Sequence, residues 1–506
     1  MVALFDHQQA AVTRMGEMES KRRTLCAMEC RGGVLALPMG MGKTLTTLSF
    51  ILTRPACTTV VVCPKSLMMQ WVAEANRLAF DTVAVYHGVA RRLPDFGSHS
   101  LLVTTFDVVR VELDTPGGLH RDSTMRRRVW GRVVVDEAHR IAEQSSQTSV
   151  AINRLCAPNR WALTGTPFKN GVSDLEALSR FLGIHPYAST RWWKANGDKQ
   201  MELHRWRDLF MLTSDKNLLR LPAKQESVVH AVRGPGEQSL FETQEQHSNQ
   251  LLQVGQQRLA ANHPLLLFPW TAVERQLQGK TEGCVHCGEG AVKQCAADLH
   301  ALCGTCVNPC ASCVTARLKV DQVEGEWGMH SCKTRAVWEC IRAARGTGVK
   351  VVLFSQWTST LDIMAHVLTF YGVGYVQYDG RVNCVEERAR RLQMFRDTPN
   401  IEVMLISLMA GGEGVNLAFA THVLLCEPYW HATAEMQAID RLHRIGQTRI
   451  TRVVRFITSS SIEAWVVSIQ TRKCAQEAWM LGDGTPPRTP VISHGKGAIH
   501  SFLQGF

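Results

Sequence analysis

Residues 33–44 read Gly33-Val34-Leu35-Ala36-Leu37-Pro38-Met39-Gly40-Met41-Gly42-Lys43-Thr44. An apolar run, a glycine turn, a Lys-Thr pair and a helix-compatible stretch follow in the order of a phosphate-binding loop. In that reading Gly40 and Gly42, with Met39 and Met41 between and before them, let the backbone approach a triphosphate, and amides at the helix start point at its oxygens. Lys43 reaches the β and γ phosphates and Thr44 holds Mg2+. The same letters also suit an ordinary turn, so the rest of the chain has to decide.

Val133-Val134-Val135 runs into Asp136-Glu137-Ala138-His139. Two adjacent carboxylates thus emerge at the end of a buried strand, where open α/β sheets present their ligands. Asp136 suits Mg2+ and Glu137 suits an attacking water; the plainer alternative is a helix start whose acids complement its dipole. Gln437-Ala438-Ile439-Asp440-Arg441-Leu442-His443-Arg444-Ile445-Gly446-Gln447 offers positive charge for a transition state. Arg441 and Arg444 are spaced to share a helix face and to act as an arginine finger supplied in cis. Otherwise they are surface arginines paired with Asp440 or Glu435.

Outward from these motifs, short apolar runs at Val60 to Cys63, Leu101 to Thr105, Arg132 to Val135 and Trp161 to Thr164 alternate with helical spacing such as Ser66 to Phe80. That alternation predicts a parallel sheet covered by helices. A second series, Lys350 to Phe354, Ile401 to Ser407, His422 to Leu425 and Val453 to Ile457, predicts a second α/β lobe. Between them the alternation lapses, passing through a Gln-rich helical stretch, Glu237 to Ala261, and then a cysteine cluster. The expected division is a first lobe over 1–220, a helical insertion over 221–280, a zinc module over 281–318, a second lobe over 319–475 and a tail over 476–506.

At 506 residues and 45% hydrophobic content the chain has material for several cores. It contains no bilayer-length apolar run, and its start lacks the pattern of a signal peptide, so a soluble intracellular protein without a membrane partner is expected. A net charge of +11 favours a polyanionic partner such as nucleic acid.

Cys284 and Cys287, Cys295 and His300, Cys303 and Cys306, and Cys310 and Cys313 make eight ligands, enough for two tetrahedral Zn2+ sites with no open position. Buried reduced cysteines are the alternative, and His286 competes with His300 as the nitrogen ligand.

The motif order Asp-Glu-Ala-His, Leu163-Thr164-Gly165-Thr166-Pro167-Phe168-Lys169-Asn170, Phe354-Ser355-Gln356-Trp357, Ala410-Gly411-Gly412-Glu413-Gly414-Val415-Asn416-Leu417 and the arginine motif resembles the switch/sucrose-non-fermenting ATPases of helicase superfamily two. The resemblance spans roughly residues 4 to 470. The cysteine cluster narrows it to the RING-inserted branch that includes the helicase-like transcription factor, and the compact length is similar to the baculovirus global transactivators. It implies two RecA-like parallel-sheet lobes with a helical and RING-like insertion. It implies, too, an ATP-driven translocase on double-stranded DNA that remodels protein–DNA complexes, working in the nucleus (a host nucleus if viral) with chromatin, transcription or repair proteins. A strand-separating helicase and a RING ubiquitin ligase that engages an E2 are the rival functions.

Carried over residue by residue, the resemblance makes Gln8 an adenine reader and places Pro64-Lys65-Ser66, Thr104-Thr105-Phe106 and Ser355-Gln356-Trp357 along the DNA backbone. Gly412, Gly414 and Asn416 would link DNA to the nucleotide, and Thr164 to Thr166 would couple hydrolysis to lobe movement. In a RING, Cys284, Cys287, Cys303 and Cys306 hold one ion and Cys295, His300, Cys310 and Cys313 the other. Two departures stand out. Leu37-Pro38 replaces the usual Asp-Glu and removes a backbone donor, and His286, Ala311 and Val314 occupy places that usually face an E2, which favours a structural or docking role. Arg191-Trp192-Trp193-Lys194 and Trp206 suit a core as well as a stacking surface for single strands.

Overall fold

The computed structural model describes residues 4–20, 23–25, 28–54, 58–88, 91, 93, 100–113, 124–165, 172–196, 200–219, 221–234, 237, 250–263, 266, 293–294, 301–302, 330–382, 384–408 and 415–481. They form two compact units, one built on residues 1–221 and the other on 222–471.

In the first unit the strands are β1 (Arg23–Leu25), β2 (Met28–Ala36), β3 (Thr58–Cys63), β4 (Thr82–Tyr86), β5 (Ser100–Thr105), β6 (Arg132–Asp136), β7 (Asn159–Leu163) and β8 (Met211–Thr213). The sheet order is β1-β2-β7-β6-β3-β5-β4, with β8 also on β2. All the pairings are parallel except β1 with β2. Because successive side chains alternate across a sheet, Val60, Val62, Val133 and Val135 enter one core while Val61, Leu101, Val103 and Val134 enter the other. Continuous apolar runs are therefore what this doubly covered sheet requires. Helices α1 (Asp6–Ser20), α2 (Lys43–Thr53) and α3 (Lys65–Ala75) pack on the second of these faces. The helix predicted to reach Phe80 stops at Ala75, where Asn76 N closes on Val72 O and Leu78 N on Ala75 O in a tightening turn.

The second unit holds β9 (Lys224–Ala231), β12 (Val351–Ser355), β13 (Gly374–Tyr378), β14 (Ile401–Ser407), β15 (His422–Leu425) and β16 (Thr451–Thr458). They form one parallel sheet in the order β13-β14-β12-β15-β16-β9. β9 lies where the sequence places the start of the insertion. It reads Lys-Gln-Glu-Ser-Val-Val-His-Ala, with most side chains exposed, so an edge strand is present without an apolar run. Around this sheet run α4 (Gln250–Asn262), α5 (Cys332–Ala344), α6 (Thr358–Phe370) and α7 (Ala432–Ile439), with α8 (Ile462–Leu481) following β16. A two-residue antiparallel ladder joins β10 (Lys293–Gln294) to β11 (Ala301–Leu302). No helix among the described residues is long and apolar enough to cross a membrane.

Candidate active site

The turn after β2 is built by two glycines with positive φ, Gly40 at 82° and Gly42 at 78°. Gly42 is doubly constrained, since a Cβ there would also lie 2.3 Å from Gln8 Nε2. It begins α2 with no side-chain cap, so the first-turn amides keep the orientation that suits an anion. Pro38 takes part through its carbonyl, which accepts from Met41 N at 3.4 Å. Lys43 Nζ donates to Leu37 O at 3.0 Å, and Thr44 follows it in the first turn of α2.

Gln8, near the start of α1, is buried against this loop. Its Oε1 accepts from Phe5 N at 3.0 Å and its Nε2 donates to Met41 O at 3.3 Å. The amide therefore braces the loop from behind. One strand separates the phosphate loop from the carboxylate pair: β7 runs between β2 and β6. At the end of β7, Thr164 N donates to Leu35 O at 3.1 Å. A Cβ on the next residue, Gly165, would lie 2.8 Å from Met39 Cγ and 3.4 Å from Lys43 Nζ, so Gly165 shares a surface with the loop. Thr166 lies outside the described residues.

Asp136 ends β6 and is buried. Trp71 Nε1 of α3 donates to its Oδ2 at 2.8 Å, and Glu137 N to its Oδ1 at 2.9 Å. Burial, followed by the neighbouring Glu137 charge, pushes its carboxyl up to about 6; the Trp71 bond, the Lys43 charge and the Glu137 amide oppose that rise. Its charge is thus only partly compensated within the protein, which suits Asp136 to a divalent cation. Glu137 has left-handed backbone, φ 51° and ψ 54°, a conformation that costs an L-residue about 1–2 kcal/mol. Strain of this kind persists where the surroundings over-determine it, characteristically at functional sites. His139 Nδ1 lies 3.3 Å from Glu137 Oε2. Trp71 is a site residue that the sequence does not single out. An indole inside an amphipathic helix reads as core, and only the fold shows that its N–H meets Asp136.

In the second unit, α7 stops at Ile439, so Arg441 and Arg444 do not share a helix face. Leu417 N bonds Arg441 O at 3.0 Å, and the buried Gln447 amide donates to Ala420 O at 2.8 Å and Leu442 O at 3.2 Å. These contacts draw the chain out of the helix into turns. Arg441 is buried, and Glu435 is engaged by Arg455 at 3.1 Å and Tyr429 N at 2.9 Å. Neither observation suits a surface pair between Arg441 and Glu435.

Of the expected backbone-tracking residues, Lys65 is exposed. The Thr104 hydroxyl faces inward and donates to Tyr86 O at 2.8 Å, and Thr105 Oγ1 accepts from Val108 N at 3.5 Å. Both threonines are buried, so their hydroxyls serve the fold. Gln356 Nε2 and Trp357 Nε1, by contrast, are buried without a hydrogen-bond partner among the described residues. Trp193 and Trp206 are core residues whose indole nitrogens donate to Tyr187 O and Ser179 Oγ. Gly412 and Gly414 lie outside the described residues, as do Cys284, Cys287, Cys295, His300, Cys303, Cys306, Cys310 and Cys313.

Comparison with known proteins gives a match of the SNF2-related domain to residues 7–287 and of the helicase conserved C-terminal domain to residues 332–446. The chain is 28% identical to the DNA repair protein RAD5B of Arabidopsis thaliana, over 90% of this chain and 46% of that protein. It is 29% identical to a probable global transactivator of Orgyia pseudotsugata multicapsid polyhedrosis virus, over 93% of this chain and 90% of that protein. With the human helicase-like transcription factor it shares 25% identity over 85% of this chain and 51% of that protein. The chain thus spans about half the length of several relatives it matches. A solved SWI2/SNF2 ATPase core of Sulfolobus solfataricus in complex with dsDNA aligns with 22% identity and a TM-score of 0.40, covering 95% of this chain and 94% of that one.

Proposed function

The chain belongs to the SNF2-related family, and from that premise we propose that it hydrolyses ATP in response to duplex DNA and uses the turnover to translocate. The observation that carries the reading is the meeting of a glycine turn, Lys43 and a partly compensated Asp136 beside a strained Glu137 at one sheet edge. Lys43 grips the β and γ phosphates, Thr44 and Asp136 hold Mg2+, and Glu137 orients the attacking water. When bound, Mg2+ neutralises phosphate charge and aligns the leaving group. Gln8 reads adenine as well as bracing the loop, while Arg441 and Arg444 supply transition-state charge and Gly412 and Gly414 complete the nucleotide contacts.

The DNA partner is supported by the net charge of +11, by exposed Lys65, and by the two unsatisfied donors of Gln356 and Trp357 beside the start of α6. An unpaired buried donor costs about 1–3 kcal/mol, and a phosphate oxygen is the acceptor that a sequence-blind motor would bring. Seven thiols and one imidazole form a donor set suited to two structural Zn2+ ions. We assign that module a docking or structural role. Relatives bear the names DNA repair protein, global transactivator and helicase-like transcription factor. We therefore place the chain in a nucleus, remodelling protein–DNA complexes with chromatin, transcription or repair proteins.

ATPase rates without DNA and with single strands, duplex and forks test this reading, alongside displacement of a third strand from a triplex. Duplex should stimulate most, with affinity falling steeply as salt rises because phosphate contacts release counterions. Triplex displacement should occur without separation of the duplex. Indifference to duplex, or duplex unwinding, overturns the assignment.

A further inference from the structure

Glu427 is a buried carboxylate of the second unit that the proposed ATPase machinery does not use. Its place is fixed by the sheet. β12 and β15 are parallel neighbours with Phe354 opposite Leu425, and Cys426 N donates to Phe354 O at 3.0 Å, which carries the pairing one residue beyond β15. Glu427 therefore emerges beside the turn that leads from β12 into α6. The next residue, Pro428, is held through its carbonyl, which accepts from the buried Arg258 at 3.0 Å.

That turn is held by the carboxylate. Glu427 Oε1 accepts from Gln356 N at 2.5 Å and from Ser355 Oγ at 2.9 Å, with its Oε2 3.1 Å from the same hydroxyl. Ser355 Oγ accepts in turn from Trp357 N at 3.1 Å. Two successive backbone amides are thereby fixed, one directly and one through the hydroxyl. α6 adds no side-chain cap at Trp357, the residue from which it starts. The side chains carried on these two fixed backbones are those whose donors, Gln356 Nε2 and Trp357 Nε1, are buried without a hydrogen-bond partner among the described residues. Open buried donors are unfavourable, so a turn that presents two of them in succession has to be held by other bonds, and Glu427 with Ser355 provides them.

We propose that Glu427 is a positioning residue for DNA binding: through Gln356 N and Ser355 Oγ it fixes the turn after β12, so that the Gln356 and Trp357 donors are presented together to a phosphate backbone. The inference rests on the DNA reading of that turn. Glu427 itself touches neither nucleotide nor DNA. What it supplies is acceptor oxygen, of which an amide side chain keeps one atom and an alkyl side chain none.

The test uses the full chain with Glu427→Leu, Glu427→Gln, Ser355→Ala and Trp357→Phe. Glu427→Leu should raise the duplex concentration for half-maximal ATPase stimulation about tenfold, leaving the KM for ATP and the rate at saturating duplex within about twofold of wild type. Glu427→Gln should keep half-saturation within about threefold of wild type, because its carbonyl still accepts from Gln356 N. An unchanged half-saturation in Glu427→Leu, or a loss in Glu427→Gln as large as in Glu427→Leu, overturns the proposal. Trp357→Phe removes a donor from the turn and tests the DNA reading by itself: it should raise half-saturation, and no change means that the turn does not meet DNA. A readout without DNA isolates the positioning. In 5-fluorotryptophan-labelled protein, the 19F resonance of Trp357, assigned with Trp357→Phe, should move in Glu427→Leu and lie near its wild-type place in Glu427→Gln. A resonance unmoved in Glu427→Leu rejects the positioning whatever DNA does. If Glu427→Leu does not fold, Ser355→Ala takes its place in both measurements, with the same loss and the same shift expected and the same outcomes rejecting the proposal.

Discussion

Asp136 and Glu427 are both buried carboxylates at the C-terminal edge of a parallel sheet, one in each unit, and burial raises both. Their surroundings differ. Around Asp136 the hydrogen-bond donors are neutral, an indole and a backbone amide, and another carboxylate stands next in the chain. Around Glu427 the donors are also neutral, a hydroxyl and a backbone amide, and the Lys333 charge opposes the rise as the Lys43 charge does at Asp136. Both acids thus stay raised, to about 6 and about 7, against one opposing lysine each; what separates them is that Asp136 stands beside the glycine turn and Lys43, whereas Glu427 seats the turn after β12 through Ser355 Oγ and Gln356 N. A buried acid is thus a candidate for chemistry when its neighbours suit a ligand, and a candidate for architecture when it seats a turn of its own chain.

The sharpest way to break this contrast is to neutralise each acid. Asp136→Asn, like Lys43→Ala and Glu137→Gln, should lower the DNA-stimulated ATPase rate by roughly 10^2-fold or more; Glu427→Gln should keep most of the rate at saturating duplex. Steady-state assays decide, and equal losses at the two acids would remove the distinction. Lys43→Ala should also weaken nucleotide binding, while Glu137→Gln should still bind ATP, which equilibrium binding of a fluorescent analogue resolves.

Ligand linkage gives the next largest effect. Mg2+ and ATP at about 100 times the dissociation constant should stabilise the wild type by about 2.7 kcal/mol, and thermal melts of Asp136→Asn should show little of that gain. Without ligands the sign reverses. Because the folded state holds the Asp136 proton up to about pH 6, stability tied to that proton is present below the ordinary carboxylate range and lost as pH rises through 6. Asp136→Asn should therefore be more stable than wild type at pH 8 by about 1–3 kcal/mol, with the gap narrowing towards pH 5. A constant gap across that range would show that charge burial is not its cause.

The smallest effect is expected at the proposed zinc module. Cys303→Ser with Cys306→Ser should release Zn2+, measured with a chromogenic chelator, and leave DNA-stimulated ATPase within about threefold of wild type, since a closed site offers zinc no catalytic position. Larger loss in a protein otherwise folded by circular dichroism and gel filtration would mean that the insertion is part of the motor's mechanics.

Much of this was legible from residues 33–44, 133–137 and 401–407 alone, because a strand buried on both faces must be apolar throughout and a phosphate turn must be glycine-rich. The sequence by itself determined two α/β lobes, the glycine turn with Lys43, and a carboxylate pair at a strand end. It did not reveal β9, whose exposed edge needs no apolar run, or the end of α7 before Arg441, which depends on bonds from Leu417 and Gln447. Only the tertiary structure decided that β7 separates the phosphate strand from the Asp136 strand, that Trp71 holds Asp136, and that Glu427 holds Gln356 N. Those last two contacts join residues 65 and 71 positions apart. Periodicity reports which face a side chain takes, but which distant partner fills the space opposite is set by packing.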